Sequence, residues 1–314
     1  MAATTAAWRA GSASGVRPRG IFTSARTFWL ALAPALLFYT ALTLYPMAQV
    51  IVSGFTDANG FTGDRDFVGL DNFTHMFTDD PALLDALGHT AVYSFFKVAV
   101  QTVVAFLIAV LLNKKMRGGN IYRAIFFAPI VISPVAVVFT WSFMFDPTNG
   151  SINTLLSDVG LGSLAQDWLG DYDLALYSVI LVDMWSGLGF SVVIFLAGMS
   201  TIPAEITEAA RVDGAGPLRT MWSITLPLLR NTTGLVLVLA INGALRAFDT
   251  VYLMTQGGPG DSTELYMTRL FDEGFVRNNF GYASSMALVV ILVLIGIAWL
   301  QNRLNDEQRA GGRA

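Results

Sequence analysis

Residues 200–227 read STIPAEITEAARVDGAGPLRTMWSITLP, a segment rich in small residues between two long apolar stretches. Pro203 suits the first turn of a helix, where its missing N–H costs nothing, and Glu205 and Glu208 fall near that helix's positive N-terminal end. Gly214 stands where the helix must stop, as a left-handed C-terminal residue does. Ala209 and Ala210 carry almost no side chain, so another surface can approach the backbone closely. After Pro217 a second short helix over 218–224 leads to Leu226 and Pro227, where the chain bends into the next apolar stretch. Helix physics alone leaves two readings open here, an amphipathic connector on a membrane surface or a docking helix.

The composition makes a bilayer the solvent. Of 314 residues 54% are hydrophobic and 13% charged, and the mean hydropathy is +0.56; a soluble domain carries roughly 25% charge. A membrane helix needs about 20 mainly apolar residues. Six segments qualify, at roughly 27–51, 88–112, 122–145, 174–199, 231–254 and 282–301. The first is too long for the apolar core of a cleaved signal peptide and reads as a retained span. The expected organisation is an all-α, six-helix domain over 27–302, flanked by a disordered tail at 1–26 and a second tail at 303–314. The absence of cysteine rules out disulfides, thiolate nucleophiles and Cys-based metal sites. The only histidines, His75 and His89, read as lying outside the apolar runs, so neither a His-based metal site nor a catalytic centre is expected.

Basic residues orient the spans. Arg9, Arg17, Arg19 and Arg26 precede the first; Lys114, Lys115, Arg117 and Arg123 follow the second; Arg211, Arg219 and Arg230 follow the fourth; Arg303, Arg309 and Arg313 follow the sixth. The opposite loops hold Arg65, Arg269 and Arg277 among many acids, including Asp57, Asp64, Asp79, Asp80, Asp167 and Asp171. One alternation satisfies every loop, with both termini and the 200–229 loop on the cytoplasmic side. The outer loops read as ordered, with Phe61, Phe67, Phe73 and Phe77 in the first and a helix over 151–159 in the second. In the third, Gln256–Gly260 reads as a turn after a helix end, since a phosphate loop needs a following helix and lysine. No Gly-x-x-x-x-Gly-Lys-Ser/Thr occurs anywhere, so a pump built from this chain borrows its energy from a nucleotide-binding partner.

Charges inside a span cost about 2.5–3.5 kcal/mol on insertion scales and are functional suspects. Lys97, Asp183, Arg246 and Asp249 stand out. Asn242, Arg246 and Asp249 follow i, i+4, i+7 spacing, which puts them on one helical face, and Tyr93, Lys97 and Gln101 make a similar stripe. Asp183 and Arg246 each lie roughly 13–14 Å below the outer boundary at the helical rise. Two readings compete: structural pairs, Asp183–Arg246 or Arg246–Asp249, or a wet path that hydrogen-bonds a polyhydroxylated solute while Trp185 and Phe248 supply an aromatic face.

The spacing Glu208-Ala209-Ala210, three residues, Gly214, nine residues, Ile224, one residue, Leu226-Pro227 closely resembles the signature loop of binding-protein-dependent ABC transporter permeases. Thr255–Gly260, the run 280–284 and Phe67–Phe73 are similar to the carbohydrate-importer branch, which takes sugars or glycerol-phosphate. The resemblance implies a type I importer bundle in a bacterial cytoplasmic membrane. It implies two copies of a cytoplasmic ATPase docked through Glu205, Glu208, Ala209, Ala210, Asp213 and Gly214, a second permease subunit, and an extracytoplasmic solute-binding protein. The candidate solute path is Asp183, Trp185, Asn242, Arg246, Phe248 and Asp249, with no cofactor, no nucleic acid and only lipid besides. The competing classes are a stand-alone proton-coupled transporter with Asp183 and Asp249 as carriers, and an intramembrane enzyme, for which no catalytic spacing is present.

Overall fold

The computed structural model describes residues 25–60, 65–114 and 118–311. The expected tail at 1–26 therefore falls almost wholly outside the described residues, as do Phe61, Asp64, Lys115, Arg117 and Arg313. The chain divides into two compact units, Met1–Gln49 and Val50–Ala314. The described residues are helical apart from loops and one isolated antiparallel bridge, Thr56 to Phe67.

Among the described residues five single helices are long and apolar enough to cross a membrane: Trp29–Ser53, Pro81–Leu112, Ala175–Ser200, Arg230–Thr255 and Phe280–Gln301. A sixth crossing, third in order, is the bent pair Gly119–Val131 and Pro134–Met144. The chain is thus an all-α polytopic bundle, with spans one to six in that order. The six-helix count holds only with this bent pair taken as one span, because its halves meet at 102° rather than running straight through 122–145. Pro134 has no N–H to give, and its ring drives the preceding residue out of the helical region; Ile132 and Ser133 accordingly adopt ψ of 134° and 136°. Span two begins at Pro81, earlier than expected, and His89, read as lying outside the apolar runs, is within it. The last helix continues to Gly311, so most of the expected C-terminal tail is helical.

Prolines also explain two wide turns. The π-turn Thr40–Leu44 lies just before Pro46, and Met221–Thr225 lies just before Pro227; each absorbs a hydrogen bond that the ring cannot make. Within the second unit the core sits between spans two, four and five, where Phe106, Ala109, Phe195, Met199, Leu229 and Val236 pack together. Small residues let the helices approach: a Cβ on Gly189 would meet the Phe126 carbonyl, and one on Gly198 would meet Thr232. Large apolar side chains such as Phe139, Leu181 and Leu292 stay exposed, as a lipid-facing surface requires.

At the end opposite the 201–229 loop, a buried charge network ties loops and spans together. Asp80 caps span two by accepting from the Leu83 N–H at 3.0 Å, and also accepts from Arg269 Nη2 at 3.1 Å and Tyr282 Oη at 2.8 Å. Arg269 further faces Glu273 at 3.2 Å and Glu264 at 3.8 Å, while Arg277 pairs with Glu273 at 2.9 Å. His89 Nδ1 donates to the Glu264 carbonyl at 3.1 Å and so ties span two to the loop. Burial pushes the Asp80 carboxyl up, but hydrogen bonds from Tyr282 and Leu83 and the charge of Arg269 hold it below the usual carboxylate range. Burial raises Glu264 to about 7 despite Arg269. By sequence Arg269 and Arg277 were only outer-loop charges; no local pattern marks a partner 189 residues away.

Candidate functional site

Two features of this bundle carry chemistry that lipid packing does not explain. The first is the helix Ala204–Val212 between spans four and five. It ends in a full Schellman motif: the Ala215 N–H donates to the Ala210 carbonyl at 2.9 Å, and the Gly214 N–H to the Arg211 carbonyl at 3.1 Å. Gly214 holds φ of +80° with open space where a Cβ would stand, so its glycine is required for backbone conformation and not for room. Ala210 is buried against the chain, while Glu205, Glu208, Ala209, Asp213 and Gly214 are all exposed. Val212 is 87% exposed, Leu218 72% and Trp222 54%, an apolar margin beside the helix that this chain leaves uncovered.

The second is a cavity of about 510 Å³ walled by spans two to five. Lys97 and Asp183 form an ion pair across it, linking spans two and four, with each side chain mostly buried. Thr250 donates to the other Asp183 oxygen at 3.3 Å, and the Lys97 ammonium lies 5.7 Å from the Tyr93 ring centroid. Gln101 also lines the cavity; its Oε1 is buried and has no partner. Arg246, Phe248 and Asp249 complete the wall.

The Asp183–Arg246 and Arg246–Asp249 pairs of the first of the two competing readings do not form. Span five loses helical geometry at Arg246, with φ of −108° and ψ of 14°, and again at Phe248, before a new helix starts at Asp249. The i, i+4, i+7 register therefore does not run through the break, and Asn242, Arg246 and Asp249 do not share one face. Asn242 turns its amide to the Val238 carbonyl at 2.9 Å and lies outside the cavity wall. Trp185 also lies outside it, packed edge-on against Trp141 at 5.5 Å between centroids. Lys97 reaches Asp183 from a π-turn, Phe96–Val100, a distortion that apolar periodicity does not reveal. Arg246 and Asp249 enter no ion pair among the described residues, which leaves the wall with two cations and two carboxylates, and a formal charge of zero.

Residues 101–309 match the family described as binding-protein-dependent transport system inner membrane component. The chain belongs to that family. It is therefore a membrane-embedded transport component rather than an enzyme. Among its relatives, the diacetylchitobiose uptake system permease protein NgcF of Streptomyces coelicolor is 38% identical, with 88% of this chain and 83% of that protein aligned. The multiple sugar-binding transport system permease protein MsmF of Streptococcus mutans is 32% identical, over 89% of this chain and 95% of its own length. The sn-glycerol-3-phosphate permease protein UgpA of Agrobacterium fabrum is 28% identical over 89% and 94%. A chain of a bacterial alginate ABC transporter, solved with a pentasaccharide-bound periplasmic protein, shares the fold at a TM-score of 0.77 and 20% identity, covering 89% of this chain and 93% of that one.

Proposed function

We propose that the chain is a permease subunit of an ATP-driven importer of neutral sugars, with oligosaccharides as the main cargo. The observation that carries this reading is the cavity wall: its charges cancel, and it is lined by Gln101 with its unpartnered carbonyl oxygen, the Asp183–Thr250 pair and the Phe248 ring. Hydroxyl-rich solutes suit alternating donors and acceptors beside apolar ring surface, whereas a phosphate calls for surplus positive charge. The relatives named for sugars support the same choice.

In this reading the basic loops face the cytoplasm and both termini lie inside. Two ATPase copies sit below, a second permease completes the pore, and a solute-binding protein delivers cargo at the opposite face. Nucleotide-driven closure of the ATPases pushes the 204–212 helix through its exposed Glu205, Glu208, Ala209 and Asp213, and the bundle rocks between inward- and outward-open states. Differential binding of the ATPase to the two states supplies the work. The reconstituted complex, assayed for uptake competition, tests this: neutral di- and trisaccharides should compete, and glycerol 3-phosphate should not. Preferential competition by glycerol 3-phosphate would assign Arg246 to a phosphate. Solute flux through this chain alone, without nucleotide, would instead support a proton-coupled transporter using Asp183 and Asp249.

A further inference from the structure

Five aromatic rings form an unbroken series that starts in the cavity wall and leaves it toward the end of the bundle opposite the 201–229 loop. Phe248 lines the cavity and stacks on Tyr252, with centroids 4.9 Å apart and planes 19° off parallel. Phe271 follows at 5.0 Å from Phe248 and 4.8 Å from Tyr252. Phe275 stacks on Phe271 at 5.0 Å, and Phe280, at the start of span six, meets Phe275 at 5.8 Å. Three separate elements contribute: the distal piece of span five, the loop between spans five and six, and span six itself.

Rings that pack this closely usually sit in a core, as Phe106 and Phe195 do here, 4% and 0% exposed. None of the five is buried, none belongs to a core cluster, and Phe275 is 64% exposed. Phe275 is exposed and the other four are half-buried, so each ring keeps some apolar area that a core would cover. A row of partly open rings that ends beside the polar groups of the cavity has the chemistry to hold the C–H faces of successive sugar units, where ring quadrupole and apolar surface act together.

We propose that Phe248, Tyr252, Phe271, Phe275 and Phe280 form a stacking track that passes a saccharide chain between the outer end of the bundle and the cavity. This rests on the sugar-importer reading. Each added sugar unit engages a further ring, so the track favours longer saccharides, and removal of one flat face hinders long cargo more than short.

The test uses the full complex with its second permease, ATPases and binding protein, and measures maximal import rates with the binding protein saturated. The probes are maltotriose against maltose and tri-N-acetylchitotriose against di-N-acetylchitobiose. Phe275→Leu keeps apolar bulk and loses the face; the tri-to-disaccharide rate ratio should fall about three- to tenfold, the worth of one aromatic contact. Phe275→Tyr should keep the wild-type ratio. An unchanged ratio in Phe275→Leu, whether both rates hold or both fall together, overturns the track and assigns the rings to packing. A wild-type complex that imports none of the four probes but takes glycerol 3-phosphate removes the sugar reading beneath it, which is a different result.

Discussion

The 204–214 helix and the intramembrane cavity differ in the range of the forces that shape them. The helix is made by neighbours: Pro203 before it, Gly214 at φ of +80° after it, and two hydrogen bonds spanning six residues at most. The cavity is made by strangers, since Lys97 meets Asp183 across 86 residues and Thr250 meets Asp183 across 67. A region fixed locally tolerates a change elsewhere in the bundle. A region fixed by distant pairs fails as soon as one partner goes.

Breaking the distant pair should therefore have the largest effect. Asp183→Ala leaves a mostly buried ammonium without its counter-ion, and loss of one partner of such a pair costs about 3–5 kcal/mol. The thermal midpoint of the detergent-purified chain should drop sharply and import should cease. Replacing both partners, Lys97→Met with Asp183→Leu, should restore most of the midpoint but not import. If the double variant stays as unstable as the single, the pair does more than neutralise itself.

The outer charge network is a second long-range region, and its weak point is Glu264. Its folded pKa of about 7 lies above the ordinary carboxyl value of 4.5, so the folded chain keeps a proton that the unfolded chain releases. Stability is full below pH 4.5 as far as this group is concerned and falls as pH rises through 7, by on the order of 3 kcal/mol if the shift acts alone. Glu264→Gln should flatten that decline in a pH series of melting midpoints. A decline of equal slope in the variant would trace it to other groups, Asp272 first, whose carboxyl burial also pushes up.

These contrasts explain what the sequence could disclose. Residues 200–227 were legible because capping, glycine conformation and turn chemistry act within a few positions, and the chain carries them in order. The spans were legible because twenty apolar residues need no partner to be recognised, though the 102° bend at Pro134 required the ring's local clash to be carried through to its consequence. Helical spacing put Asn242 on one face with Arg246 and Asp249, because it assumes an unbroken helix, and span five breaks at 246–248. Helical spacing marks Lys97 as a charge inside a span but does not match it to Asp183 on another helix. In the Asp80–Arg269–Glu273 network only the i, i+4 spacing of Arg269, Glu273 and Arg277 is local, and nothing in it marks Asp80, 189 residues away.

Within the helix itself, conformation and contact can be separated. Gly214→Ala places a Cβ in the left-handed region and should cost about 1–2 kcal/mol, with the damage confined to the C-terminal turn. Ala209→Leu is the smallest perturbation to the fold, since Ala209 is exposed and no partner within the chain is lost; its melting midpoint should match wild type. Both should weaken the ATPase attachment measured by co-purification, the first by loosening the end of the helix and the second by steric bulk at the proposed contact. The informative outcome is the pairing of results for Ala209→Leu, an intact melt with lost co-purification and lost import. Retained co-purification and import in that variant would move the docking surface off this face, and the exposed margin of Val212, Leu218 and Trp222 would be the next surface to substitute.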